Sequence, residues 1–422
     1  MPSQPTTSPS HAHALDDTKL GAYLIAHLPS LTLPITSTKI GYGQSNPTFF
    51  IDDANHTRYI LRKKPAGRII SPVAHQVERE YTVLKALGSV DGFPVPRVYC
   101  LCIDEGVVGT VFYVMQYIPG RIITDPNLST LPPSQRRPAW FSLISTLAWL
   151  HSLDPNALGL SKFGKQSAFY PRHCTTFSRI EAQQARVKDP RTNRPLGRAH
   201  PHFDDIVAFI RANAPPDRCC IVHGDYKFDN VVLHPTEPRV IAVLDWELST
   251  LGHPLLDAVY VTGPYWNRAR GTEAARDDQG GACYDAARQA ESGMPGFDEL
   301  VGEYARIAGW DPRGEGWEVA KVFHLLRGST ISHGIQARTL TGQASSAFSH
   351  TYFENTRRGL DTAWGVVRDM QTREKEREKE REKEREKERE KEREKEREKE
   401  RQKEREKEKK EAEANRMLRS VL

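Results

Sequence analysis

The sequence lacks long apolar runs and regularly spaced cysteines, and each absence limits the kind of protein it can be. No segment reaches the roughly 18 consecutive apolar residues that indicate a transmembrane helix, so we expect no membrane span. The six cysteines show neither paired zinc spacing nor a disulfide framework; they stand at positions 100, 102, 174, 219, 220 and 283. We therefore expect reduced thiols and a cytoplasmic location, with mitochondrial and peroxisomal locations left open.

The chain also lacks a strong net charge outside its C-terminal tail. Residues 373–422 hold 22 of the 60 Lys and Arg residues and 19 of the 55 Asp and Glu residues, so the preceding part is nearly neutral. The sequence pI of about 8.7 therefore reflects mainly the tail and is poor evidence for nucleic-acid binding. We expect no specific nucleic-acid partner.

The tail itself lacks the apolar seam of a coiled coil. Residues 373–410 repeat Arg-Glu-Lys-Glu almost without interruption, and all three residue types favour helices. Because Glu occupies nearly every second position, residues four apart carry like charges and residues three apart carry opposite charges. Two states are open for residues 372–422, a solvated helix and a disordered spacer, and the tail partner is unknown.

Residues with catalytic chemistry concentrate in two short segments, 223–230 (HGDYKFDN) and 244–247 (LDWE). Phosphoryl transfer needs a carboxylate that accepts the proton of an attacking hydroxyl, and it needs oxygen ligands for Mg²⁺. Asp225 suits the first role, and Asn230 and Asp245 suit the second. Asn230 opens one β-rich run and Asp245 ends the next, with turn residues between them. Antiparallel pairing of the two runs would bring both side chains to the same end, one loop from Asp225.

These motifs resemble the aminoglycoside phosphotransferase and choline-kinase-like superfamily. The run HPTEPRVIAVLDWELSTLG resembles one branch of it, which includes the kinase-like region ahead of acyl-CoA dehydrogenase domains in some fused proteins. The segments GQSNPTFF, LRKKP and FYVMQYIPGR fit the same branch. The resemblance covers roughly residues 35–355 by motif order.

The resemblance implies an α+β protein-kinase-like fold with two lobes. We expect a disordered N-terminus at 1–14 and a β-rich, nucleotide-binding N-lobe with one key helix at 15–118. A larger, mainly helical C-lobe at 119–371 would hold the catalytic loop, the metal site and a substrate lid. The lid is assigned to two segments: 161–200, which we expect to be polar and irregular, and 264–295, a polar insert.

The resemblance also implies ATP and Mg²⁺ as cofactors. Arg62 stands where kinases place a phosphate-binding Lys, with Lys64 as the alternative, and Glu80 matches the helix residue that pairs with this cation. The residues expected to contact the nucleotide through a Gly-rich hairpin and the hinge are Gly41, Gly43, Gln44, Ser45, Asn46, Met115, Gln116 and Ile118. The hairpin lacks the full G-x-G-x-x-G of protein kinases.

The predicted activity is phosphorylation of a hydroxyl group on a small molecule. No activation segment ending in Ala-Pro-Glu follows Asp245, which argues against a protein substrate. The resembling branch implies a hydroxyacyl-CoA or hydroxy acid, for which Lys162, Lys165 and Arg172 are candidate anion contacts. Choline-type and aminoglycoside-type acceptors stay open, as does a nucleotide-binding scaffold without catalysis. His223 and Asp257 are expected to have structural roles.

Overall fold

The computed structural model describes residues 15–41, 46–65, 76–267, 291–314, 316–342 and 352–419. The distribution of contacts divides the chain into two units, Met1–Leu360 and Asp361–Leu422. The described part of the first unit begins with a helix, follows with an antiparallel sheet and continues as a mainly helical region. The α+β, protein-kinase-like fold class predicted from the sequence is confirmed.

One five-stranded antiparallel sheet organises the N-terminal part. The strands are β1 (Thr36–Ile40), β2 (Thr48–Asp52), β3 (Arg58–Lys63), β4 (Val98–Cys102) and β5 (Phe112–Gln116). Their order in the sheet is β1-β2-β3-β5-β4. The two central strands, β3 and β5, are nearly continuous apolar runs and are buried on both faces, whereas the edge strand β1 is polar. The accompanying helices are α1 (Asp17–His27), α2 (Val77–Leu87) and α3 (Glu105–Val108).

The two faces of this sheet differ in chemistry. One face packs on α1, where Leu20 is fully buried in a cluster that includes Leu61 of β3. Arg62 follows Leu61 directly and therefore faces the other side, where the strand register pairs it with Tyr113 of β5. The alternation along β3 thus places a cation on the face opposite α1.

The C-terminal part of the first unit is mainly helical and carries two small β-ribbons. The helices are α4 (Pro133–Ser152), α5 (Phe169–Ala185), α6 (Phe203–Ala212), α7 (Leu255–Val261), α8 (Gly263–Asn267), α9 (Phe297–Ala308) and α10 (Gly316–Leu340). The strands are β6 (Cys220–Val222), β7 (Val231–Leu233), β8 (Val240–Val243) and β9 (Thr250–Gly252). Strand β6 pairs with β9 and β7 with β8, both antiparallel, as the turn residues between β7 and β8 predict.

Helix α5 corrects the expectation of an irregular segment at 161–200. Its buried residues recur at helical intervals and are Phe169, Tyr170, Cys174, Phe177 and Glu181. Polar and cationic residues fill the intervening positions, so the apolar stripe is narrow and difficult to recognise in the sequence. For the second segment assigned to the lid, residues 268–290 lie outside the described residues.

The sheet and the helical region are joined where a glycine allows close backbone contact. The ladder of β5 ends at Gln116, and the next backbone pairing joins Arg121 to Leu233 of β7, with both N–H to O=C contacts at 2.8 Å. A Cβ atom on Gly120 would lie 2.4 Å from the carbonyl oxygen of Leu233. Any side chain at this position would therefore push the connector away from β7.

The second unit is helical along the charged repeat. Helix α11 (Tyr352–Arg419) includes it, and residues 371–413 are all exposed. Of the two states that the sequence leaves open, the structure has the helix. Opposite charges three residues apart support such a helix without an apolar face. Among the described residues, no helix is both long and apolar enough to cross a membrane.

We expect Gly120→Ala to destabilise the protein by about 1–3 kcal/mol, because the new methyl group overlaps the β7 carbonyl. Gly302→Ala is the matched control, since Gly302 lies inside α9 and a Cβ there meets no atom within 4 Å. The control should gain up to about 1 kcal/mol from helix propensity. Chemical denaturation of both variants measures the difference, and equal stability would contradict the close connector.

We expect acid to destabilise the protein through His253, which lies just before α7. Its Nδ1 accepts the N–H of Leu255 at 3.2 Å, so the neutral ring donates from Nε2 to the carbonyl of Pro216 at 3.2 Å. Burial lowers the pKa of His253 to about 4. The unfolded chain binds this proton at higher pH than the folded protein, with a pKa of about 6.5. The free energy of unfolding is therefore full above about pH 6.5 and falls by on the order of 3 kcal/mol as the pH drops towards 4.

The matched variant is His253→Gln, whose amide keeps a donor and an acceptor but does not titrate. Unfolding free energies of the two proteins at pH 7 and pH 4.5 should show a smaller loss in the variant. Parallel losses would assign the acid sensitivity to other groups.

Candidate active site

A buried carboxylate holds the backbone of the 223–230 loop. Asp257 of α7 is fully buried, and its two oxygens accept the N–H groups of His223 at 2.6 Å and Gly224 at 2.8 Å. Gly224 has φ +85°, and a Cβ there would lie 2.6 Å from the carbonyl oxygen of Leu248. The loop therefore needs glycine at this position and a buried acceptor behind it.

Two histidines complete this support. His151 of α4 lies 3.3 Å from Asp257 through Nε2 and 2.7 Å from the Tyr304 hydroxyl through Nδ1. Burial of Asp257 disfavours its charge, but hydrogen bonds and charges from His151 and His223 outweigh this effect and lower its pKa. The Nδ1 atom of His223 accepts the N–H of Asp225, so its Nε2 donates to the carbonyl of Leu244 at 2.8 Å. His223 and Asp257 are thus structural supports, as the sequence predicts.

Both oxygens of the Asp225 carboxylate are held in place. Oδ1 accepts the hydroxyl of Tyr260 at 2.7 Å, and Oδ2 accepts Nδ2 of Asn230 at 2.8 Å. The ammonium of Lys227 lies 3.4 Å from Oδ2 and 3.1 Å from Asp229. The carboxylate therefore has a fixed orientation and a neighbouring positive charge.

The β7–β8 ribbon brings Asn230 and Asp245 together. The N–H of Leu244 donates to the carbonyl of Asn230 at 2.8 Å, so Asp245 is one residue from the backbone pair. Asp245 has φ +61°, a left-handed conformation that ends the strand and turns the chain. The structure therefore brings Asp225, Asn230 and Asp245 to one end of the ribbon.

Arg62 connects the sheet to this end of the ribbon. Its Nη2 lies 2.7 Å from Asp245 Oδ1 and 3.4 Å from Glu247 Oε2. Its Nε lies 3.1 Å from Oε2 of Glu80, but this N–H does not point at the carboxylate, so the contact is ionic. Burial disfavours the charged guanidinium, whereas the charges of Glu80 and Asp245 favour it more and raise its pKa.

Glu80 of α2 is buried and is held by three groups. Besides Arg62, the amide of Asn46 donates to Oε1 at 2.7 Å and the hydroxyl of Tyr113 donates to Oε2 at 2.9 Å. Burial raises the pKa of Glu80 to about 7, although the charge of Arg62 and the hydrogen bond from Tyr113 act in the opposite direction. The predicted partnership of Arg62 and Glu80 is present as a contact, and Lys64 instead pairs with Glu78.

The residues predicted to contact the nucleotide are placed unevenly. Asn46 is buried against Glu80, and Gly41 has φ +58° at the end of β1. Met115 and Gln116 end β5, and Ile118 lies in the connector before Gly120. Gly43, Gln44 and Ser45 lie outside the described residues.

The candidate anion contacts do not border the cavity that Lys227, Phe228 and Tyr260 line. Lys162 and Lys165 are exposed, and Arg172 donates to the carbonyls of Ser167 and Lys165 at 2.8 and 3.1 Å. Arg172 therefore stabilises its own loop.

Several residues at this site were missed from the sequence. Lys227 stands inside HGDYKFDN and was identifiable by its position two residues after Asp225. Glu247 was identifiable by its position two residues after Asp245. Tyr260 and Tyr113 reach the site from distant elements, and the sequence gives no signal for either.

Comparisons with known proteins fit this geometry. Residues 36–300 match the model of the phosphotransferase enzyme family named APH. Acyl-CoA dehydrogenase family member 11 of Rattus norvegicus is 37% identical over 346 residues, which are 79% of this chain and 41% of that protein. The Gallus gallus protein of the same name is 36% identical over 354 residues, 82% of this chain and 43% of that protein. The chain thus spans about two fifths of these relatives.

Solved structures have the same fold. A Ralstonia eutropha protein provisionally described as an aminoglycoside phosphotransferase is 30% identical, with a TM-score of 0.70 over 84% of this chain and 99% of that one. An aminoglycoside phosphotransferase solved in a ternary complex with streptomycin and ATP has a TM-score of 0.51 at 14% identity, over 79% of this chain and 96% of that one. Since the family match covers more than half of its length, the chain belongs to the APH phosphotransferase enzyme family.

Proposed function

We propose that the protein transfers the γ-phosphoryl group of ATP, with Mg²⁺, to a hydroxyl group of a small molecule. The observation that carries this proposal is the fixed carboxylate of Asp225, hydrogen-bonded to Asn230 at the end of the ribbon that also carries Asp245. A base and two oxygen-bearing side chains at one end of a β-ribbon are what phosphoryl transfer to an alcohol requires.

The available atoms of Asn230 and Asp245 fit Mg²⁺. The Nδ2 atom of Asn230 donates to both the backbone and the carboxylate of Asp225, so its Oδ1 is the atom left for a cation. Asp245 uses Oδ1 for Arg62 and keeps Oδ2, and its side chain is 32% exposed. Oxygen ligands of this type are those that Mg²⁺ prefers, and the bound ion would neutralise phosphate charge.

Asp225 serves as the proton acceptor in this proposal. The bond between the γ-phosphorus and the bridging oxygen of ADP breaks, the acceptor oxygen bonds to phosphorus, and its proton passes to Asp225. Tyr260 and Asn230 hold the carboxylate for this step, and Lys227 lies close enough to stabilise the charge that develops beside it.

Arg62 is the proposed phosphate contact on the sheet. Its contacts with Glu80, Asp245 and Glu247 use Nε and Nη2, which leaves the Nη1 donors for a phosphate oxygen. Glu80 holds the guanidinium in position. Lys64 is the alternative, although its pairing with Glu78 occupies its charge.

One face of the sheet would also provide an apolar surface for adenine. The strand register places Phe50, Ile60 and Met115 side by side, on the same face as Arg62. The connector that contains Ile118 follows the last β3–β5 ladder pair, at Gln116. In the proposal, the backbone of this connector hydrogen-bonds the edge of adenine. The hairpin that contains Gly41, Gly43, Gln44, Ser45 and Asn46 would cover the phosphates.

The finer proposal for the acceptor is a hydroxyacyl-CoA or a hydroxy acid. Its support is the acyl-CoA dehydrogenase name of the relatives, of which this chain matches about two fifths. Phosphate transfer assayed against a library of hydroxylated acceptors separates this proposal from choline-type and aminoglycoside-type acceptors. Binding of Mg-ATP without transfer to any acceptor would indicate a scaffold instead.

We expect Asp225→Asn to lower turnover roughly 10²- to 10⁴-fold, because the amide cannot take the acceptor proton. Affinity for Mg-ATP should change little, since the contacts of Arg62 stay intact. Asp204→Asn is the control: it makes the same charge change in an exposed ion pair with Arg198 at the start of α6. Steady-state phosphate transfer and Mg-ATP titration measure both quantities, and full turnover in Asp225→Asn would reject the proposed base.

We expect Arg62→Ala to lower the free energy of unfolding by about 3–5 kcal/mol, because three carboxylates lose their shared cation. Mg-ATP binding should weaken in the same variant. Arg58→Ala on the same strand is the matched control, since Arg58 forms a more exposed pair with Asp52 and should cost under ~1 kcal/mol. Equal losses in the two variants would show that the buried network does not hold the site together.

A further inference from the structure

Helix α10 brings a cation to the loop that carries Asp225. The Nη2 atom of Arg327 donates to the carbonyl of Gly224 at 2.9 Å, directly before Asp225 in the chain. His324 lies three residues earlier on the same face of α10, and its ring packs on that of Tyr260 with 5.3 Å between ring centres. Because Tyr260 donates to Asp225, α10 reaches the surroundings of the proposed base through both contacts.

The cations near Asp225 differ in how their charge is compensated. Arg62 contacts three carboxylates, and Lys227 contacts two, those of Asp225 and Asp229. Within the part of the chain that the structure describes, Arg327 has no carboxylate at ion-pair distance. Its bond to a backbone carbonyl uses one of five N–H donors and would need only a neutral group. The described residues therefore leave the positive charge of Arg327 without a counter-ion.

The guanidinium of Arg327 is also accessible to a ligand. The side chain is half-buried, and among the described residues Nε and Nη1 have no protein acceptor, yet neither is closed to solvent as Nε of Arg62 is. Burial raises the pKa of the Tyr260 hydroxyl, whereas the charge of Arg327 acts in the opposite direction. The guanidinium therefore lies within electrostatic range of the hydroxyl that holds Asp225, with donors to spare.

We propose that Arg327 binds an anionic oxygen of the acceptor while the acceptor hydroxyl contacts Asp225. The planar fork of an arginine matches the paired oxygens of a carboxylate or a phosphate. The ligand is therefore a hydroxylated oxyanion, whose charge belongs to the carboxylate of a hydroxy acid or to the phosphates of a hydroxyacyl-CoA. The inference rests on the proposed function, and it puts Arg327 in place of Lys162, Lys165 and Arg172 as the anion contact.

The test is equilibrium binding to the full chain with Mg-ADP, measured by calorimetry. The probes are hydroxypentanoate, hydroxypentanoyl-CoA and the uncharged hydroxypentanamide, each with the hydroxyl on the second, third or fourth carbon. We expect Arg327→Gln to weaken at least one anionic probe roughly ten- to a hundredfold, which is what hydrogen bonds to a charged group contribute. The amide and Mg-ADP should bind the variant as they bind the unchanged protein.

Arg327→Gln removes the charge but keeps an amide donor for the Gly224 carbonyl. Arg338→Gln is the matched control, since it makes the same charge change at an exposed position of α10, about 16 Å further along the helix. Arg327→Lys keeps the charge without the fork and should retain part of the affinity for the anionic probe. A loss confined to hydroxypentanoate identifies its carboxylate as the bound group, and a loss confined to hydroxypentanoyl-CoA identifies the phosphates.

Equal weakening of the amide and the anionic probes in Arg327→Gln would overturn the inference, because it would show a displaced loop instead of a lost anion contact. Unchanged binding in that variant, or no binding of any anionic probe to the unchanged protein, would do the same. If an anionic probe binds through Arg327 but no acceptor is phosphorylated, the proposed function fails while the anion site stands. If acceptors are phosphorylated equally well by Arg327→Gln, the anion site fails while the proposed function stands.

Discussion

The contact between Arg62 and three carboxylates is the constraint on which the nucleotide side of the site depends. Glu80, Asp245 and Glu247 come from a helix and a loop that are distant in sequence, and without a cation they would repel one another. Two unit charges 4 Å apart interact by about 4 kcal/mol near a protein surface, so the neutralisation is a substantial fraction of the roughly 5–15 kcal/mol that stabilises a domain. Arg62 therefore joins the sheet, α2 and the Asp245 loop in one network.

An arginine suits this position better than the lysine that kinases place there. Its planar fork presents several donors in fixed directions, whereas a lysine concentrates its charge at one point. In this chain Nη2 donates to Asp245, while Nε lies 3.1 Å from the Glu80 carboxylate in an ionic contact. The pKa of Glu80, raised by burial to about 7, shows that burial costs that carboxylate more than its contacts recover. The buried amide of Asn46 and the hydroxyl of Tyr113 supply the hydrogen bonds that such a group needs.

The sequence predicts local geometry well. It predicts which residues far apart in sequence lie together only where a motif marks them. The antiparallel β7–β8 ribbon follows from turn residues between two β-rich runs, and the face of Arg62 follows from strand alternation. Helix α5 was not predicted because its polar residues outnumber its buried residues. Tyr260 was missed because its hydroxyl reaches Asp225 across 35 positions of chain, and only packing of α7 against the loop brings them together. Spacing within a sequence carries no information about such a contact.

Different parts of the molecule hold the two oxygens of the Asp225 carboxylate. Helix α7 supplies both Asp257, which fixes the loop backbone, and Tyr260, which fixes the carboxylate, from positions one helical turn apart. Asn230, which immediately precedes β7 of the ribbon, donates to the second oxygen of the Asp225 carboxylate. In the proposed reaction, the position of the base thus depends on α7, and the position of the phosphate contact Arg62 depends on the sheet. The two supports are linked beyond the Asp225 carboxylate, because His223, whose backbone is held by Asp257 of α7, also donates to the carbonyl of Leu244 beside Asp245.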